Sequence, residues 1–93
     1  MTNPVLKRAL ETWGEKPQML MVVEEMAELT KEILKNISRG KNNISEIVEE
    51  TADVEIMLEQ LKENYKIIDA VAEYKANKIK LIEQRLNDWD NKQ

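Results

Sequence analysis

Four acidic residues carry the chemistry that this sequence offers. Glu25 and Glu28 stand three apart, and so do Glu50 and Asp53. At that spacing the two members of each pair share one face of a helix. Glu50 is the unusual member, because it falls in a stripe with Ile47, Val54, Met57 and Leu61, where helical periodicity asks for another apolar residue. A carboxylate in an apolar seam is costly unless something pairs with it. A divalent cation is the most economical partner, and oxygen-only ligation suits a hard ion, Mg²⁺ or Mn²⁺. The competing reading is an ordinary solvated face: 34% of the residues are charged, and Gln18, Glu24 and Glu32 share the polar arc of Glu25 and Glu28.

The rest of the chemical inventory narrows the choice. There is no His and no Cys, which excludes zinc sites built on them, thiolate chemistry, disulfides and Glu-x-x-His di-iron sites. Ser38 and Ser45 have no His to activate them, and no Gly-rich phosphate loop exists. Lys78 and Arg85 lie in a stripe with Ile67, Val71, Tyr74 and Leu81. They either snorkel past the edge of a bundle or face the acidic site and bind phosphate. Lys75 and Asn77 are weaker candidates nearby. Trp13, close to Gln18, either caps the core or stacks on a base whose edge Gln18 reads. Trp89, near the end of the chain, packs at an edge or an interface. Glu24 and Glu49 flank the acidic pairs, either facing outward or touching a metal-bound water.

These residues need elements to position them. The 93 residues suffice for one small domain. Richness in Glu, Lys, Leu, Ile and Ala, with two Gly and two Pro, predicts an all-α fold. A net charge of −4 without a basic patch speaks against nucleic acid as a partner. The longest apolar run, Met19 to Val23, is too short to span a membrane, and the N-terminus lacks a signal-peptide core. The expected location is cytoplasmic.

Pro4 opens a short first helix that ends near Gly14. Pro17 opens a second that runs to about Ser38, stopped by Gly40. Asn43 and Glu46 form a capping-box pattern for a third, which continues to about Lys62. Asn64-Tyr65-Lys66 is a break before a fourth helix from Ile68 to Asp88, with a frayed tail from Asn87 onward. Glu28 lies ten residues before the end of the second helix and Asp53 nine after the start of the third. At about 1.5 Å per residue, a hairpin brings the two pairs level to within about a turn. The second and third helices are apolar around more of their circumference than one hairpin covers. The fold is therefore expected to be a four-helix bundle-type domain assembled as a homo-oligomer.

Glu24-Glu25-Met26-Ala27-Glu28-Leu29 followed by Glu49-Glu50-Thr51-Ala52-Asp53-Val54 resembles the ExxE…ExxD pattern of the all-α nucleoside triphosphate pyrophosphohydrolases. That superfamily includes MazG-like proteins, dimeric dUTPases and phosphoribosyl-ATP pyrophosphohydrolase. Trp13-Gly14, Gln18 and a basic fourth helix are similar to single-domain MazG-like members, over about residues 13 to 86. The resemblance implies a helical dimer or dimer of dimers. It also implies Mg²⁺-dependent hydrolysis of a nucleoside triphosphate to the monophosphate and pyrophosphate, with Glu25, Glu28, Glu50 and Asp53 as metal ligands. Where the phosphoribosyl-ATP enzymes carry Lys-x-Gly, this chain has Met21-Val22-Val23, which argues against that substrate. In this chemistry water attacks the α-phosphorus, Lys78 and Arg85 steady phosphate oxygens, and Glu24, Glu25 or Glu49 takes the proton. Glu25 and Glu50 are the expected catalytic carboxylates. The rival expectation is a non-catalytic helical oligomer that acts as an interaction or nucleotide-binding module.

Overall fold

The computed structural model describes residues 2–92, and all regular structure among them is helical: α1 (Pro4–Trp13), α2 (Glu15–Arg39), α3 (Ile44–Asn64) and α4 (Ile68–Lys92). Asn3 caps α1 by accepting a hydrogen bond from the Val5 N–H at 2.9 Å, and Pro4 occupies the first turn, where its missing N–H costs nothing. Gly14 alone joins α1 to α2. Its N–H donates to the Leu10 carbonyl at 2.9 Å and its own carbonyl accepts from Gln18. Gly14 sits at φ 94° and ψ 157°, a region essentially reserved for glycine. The second helix begins at Glu15, two residues before Pro17, which its first turn tolerates because that N–H would find no acceptor.

α2 and α3 form an antiparallel hairpin, and α1 packs across both. Gly40 ends α2 in the left-handed conformation at φ 60°. The turn that follows is held by Asn43, whose role differs from the capping expected of it. Its side chain makes no cap bond to α3; instead Nδ2 donates to the Glu32 carbonyl at 2.9 Å and Oδ1 accepts from Asn36. Only 1% of Asn43 is exposed. This clamp draws the start of α3 back beside Glu32 and so sets the hairpin register. Asn43→Ala is expected to cost about 1–3 kcal/mol in urea unfolding, because it leaves the freed groups without partners.

The fully buried apolar core is small: Val22, Val54 and Met57. Met19, Leu29, Ile47 and Leu61 surround it, half-buried. The flank of α2 formed by Leu20, Val23, Ala27 and Leu34 stays exposed, as do Ile44 and Val48 of α3. α4 touches only α3, near its own start, where Ile68 and Val71 are half-buried. Beyond Val71 every described residue of α4 is exposed, including Tyr74, Ile79, Ile82 and Trp89. The turn into α4 is the Asn64-Tyr65-Lys66 break, with Lys66 left-handed at φ 58°.

The fourth helix therefore does not close a bundle with the other three inside one protomer. It continues to Lys92 rather than ending at Asp88, and projects as an arm. The radius of gyration is 17.0 Å, where a compact chain of this length has about 12 Å. The accessible surface is 7558 Å², roughly 2,000 Å² more than a compact monomer of this mass shows. Among the described residues no helix is long and apolar enough to cross a membrane.

Candidate metal centre

The clamp at Asn43 dictates which carboxylates meet. With Asn43 beside Glu32, Glu50 stands seven residues up α3 and Glu25 seven residues back along α2, at the same level. Glu25, Glu50 and Asp53 each offer a carboxylate oxygen, and these oxygens lie within 4.8 Å of one another. All three residues are half-buried. Glu28 is exposed and stands outside this group, although its charge still acts on Glu50. Counting from the helix ends placed the pairs level only to within a turn, and the clamp selects Glu25 over Glu28. Glu24 and Glu49 are exposed.

Glu50 is the strained member, as its place in the apolar seam predicts. Its Oε2 is buried and has no hydrogen-bond partner among the described residues. Burial first, then the charges of Glu25, Asp53, Glu28 and Glu49, push its carboxyl above the usual carboxylate range. A bound cation would relieve both the unpartnered oxygen and the repulsion. Three carboxylates with no nitrogen or sulfur donor fit a hard ion such as Mg²⁺ or Mn²⁺.

These charges set the pH response. The folded protein holds the Glu50 proton more tightly than the unfolded chain, so stability falls as pH rises through the raised value. Glu46 acts oppositely: a backbone hydrogen bond and then the Ser45 hydroxyl lower its pKa, and the stability this gives is lost as pH falls through the lowered value. Metal-free protein, melted in chelator from about pH 4 to 8, should lose melting temperature as the pH rises through the raised Glu50 value and level off above it. Glu50→Gln should flatten that decline; an unchanged slope would mean that Glu50 is not its source.

A cleft of about 360 Å³ opens beside the carboxylates, and Glu25 and Asp53 are among the residues that line it. Trp13 and Gln18 line the same cleft, together with Val5, Leu6, Met57 and Gln60. Trp13 is 65% exposed, so it covers no core and presents ring surface to the cleft. Gln18 is buried, and its Nε2 has only the Met21 sulfur, at 3.8 Å, as a partner. Lys78 and Arg85 lie elsewhere. Both are exposed on α4, which contacts neither α1 nor α2, and neither forms an ion pair among the described residues. Lys78 lies with Lys75 along an apolar concavity formed by Ile67, Val71, Tyr74 and Ile82. Asn77 is also exposed on the arm, and so is Trp89 near its end.

No family model, no curated protein and no solved structure matches this chain. Two residues near the site escaped the sequence reading. Asn43 looked like a helix cap, and only its position directly after the Gly40 turn hinted at a role in register. Gln60 stands three residues after Met57 and seven after Asp53, on the helix face that carries the candidate ligands, and that spacing was the signal that could have found it.

Proposed function

We propose that the chain is a Mg²⁺-dependent nucleotide pyrophosphohydrolase that cleaves an NTP or dNTP to the monophosphate and pyrophosphate. The observation that supports this reading best is the meeting of Glu25, Glu50 and Asp53, with a buried Glu50 oxygen left unpartnered among the described residues, beside a cleft that Trp13 and Gln18 line with Glu25 and Asp53. The ExxE…ExxD resemblance covers these three carboxylates, while its fourth position, Glu28, stands outside the group.

Bound Mg²⁺ would hold phosphate oxygens, make the attacking water more acidic and offset charge on the leaving group. Glu25, Glu50 and Asp53 would hold the ion. Trp13 stacks on the base, so that the triphosphate extends toward the carboxylates. Water attacks the α-phosphorus, the bond from that phosphorus to the α–β bridging oxygen breaks, and pyrophosphate leaves. Glu25, Glu24 or Glu49 takes the proton from the water.

The reading includes self-association. Each protomer exposes roughly 2,000 Å² beyond a compact monomer, and two such faces together fall in the range of obligate interfaces. A second copy seated on α4 covers that surface. It also gives Lys78 and Arg85 a route to phosphate, since their own α4 leads away from their own carboxylates. The exposed apolar arm equally favours a second reading, a non-catalytic oligomeric module. The test is incubation of purified protein with each NTP and dNTP plus Mg²⁺. Monophosphate and pyrophosphate are expected from at least one; no product from any supports the module.

A further inference from the structure

We infer that Gln60 is a specificity-determining residue that, with Gln18, reads the hydrogen-bonding edge of a nucleobase in the cleft beside the carboxylates. Both carboxamides are 3% exposed in the cleft wall. Among the described residues, Gln60 Oε1 is buried without a partner and Gln18 Nε2 has only a thioether, a weak acceptor. One wall thus holds an unspent acceptor and an underused donor, and they do not satisfy each other. Buried polar groups nearly always find a partner in the protein, in ordered water or in a ligand. On their pairing edges adenine and cytosine set an amino donor beside a ring-nitrogen acceptor, whereas guanine and uracil set a carbonyl acceptor beside a ring N–H donor, so an acceptor and a donor held in fixed places tell them apart.

The surroundings favour a flat ring over a water molecule. Trp13 offers an exposed face, while Val5, Leu6 and Met57 supply apolar wall. A water would satisfy the carboxamides but leave that apolar surface uncovered, whereas a base covers it and meets both amides. Glu25 and Asp53 line the same cleft, so a base held there has its phosphates within reach of the acidic group.

The assignment deepens the pyrophosphohydrolase reading by naming what selects its substrate, and it is tested without turnover. In a Trp89→Phe background, Trp13 is the only tryptophan and its fluorescence reports on the cleft. Titration with adenosine, guanosine, cytidine and uridine in chelator should give saturable quenching that differs among the four bases. Gln60→Leu and the unbranched Gln60→Met should each weaken the preferred nucleoside tenfold or more and level the preferences, with the melting temperature unchanged or raised. Lost stability with intact preferences would make Gln60 structural and overturn the assignment. Absence of saturable quenching by every nucleoside in the Trp89→Phe protein would overturn it too. Base-selective quenching by a protein that hydrolyses no triphosphate would uphold the pocket and count against the enzyme alone.

Discussion

Glu50→Gln should reduce pyrophosphohydrolase turnover on the order of 10³-fold, the size of effect that follows loss of a group stabilising charge in a phosphoryl-transfer site. The same change should raise the melting temperature of the metal-free protein. Both effects have one cause: Glu50 holds a buried, unpartnered oxygen against three other carboxylates and the nearby Glu49. Neutralising it removes repulsion and removes a ligand together. Mg²⁺ should therefore raise the melting temperature of the wild-type protein by binding its folded state, and raise that of Glu50→Gln much less. A variant that is destabilised and still fully active would place the site elsewhere. The opposed signs matter, because an ordinary core residue loses stability and activity in parallel.

The second large effect concerns the arm. Ile79 and Ile82 are 57% and 45% exposed on α4. In an isolated protomer, replacing either with Glu would change stability by no more than about 0.5 kcal/mol. In an assembly that buries this face, each replacement should cost about 2 kcal/mol or more, since a charge takes the place of a packed side chain. Ile79→Glu/Ile82→Glu should thus convert an oligomer to a monomer by sedimentation equilibrium, with a lower melting temperature. A wild-type protein that already sediments as a monomer, or a double variant of unchanged mass, would remove α4 as the interface.

Much of this was legible from residue types. Pro4, through its fixed φ and missing N–H, and Gly14 and Gly40, through their freedom at positive φ, mark helix boundaries, and three of the four helices both start and stop within about two residues of expectation. Glu50 was conspicuous because a local pattern, the seam, placed a charge where an apolar residue belongs. What the sequence hid was register. Helix periodicity tells which face a residue shares but not how far one helix slides along its neighbour. That slide is set by one side chain, Asn43, reaching across to the Glu32 carbonyl, and it brings Glu25 rather than Glu28 to Glu50. The course of α4 was hidden for a similar reason. Its stripe of Ile67, Val71, Tyr74 and Leu81 announces a partner without saying whether that partner lies in the same chain. In the protomer, the stripe beyond Val71 is open.

The direct test of the central claim is hydrolysis of the best nucleoside triphosphate in ¹⁸O-labelled water with Mg²⁺, followed by mass analysis of both products. The account predicts one ¹⁸O atom in the monophosphate and none in pyrophosphate, with no labelled product from Glu50→Gln. Label in pyrophosphate, release of single phosphate, or equal turnover by Glu50→Gln would contradict it.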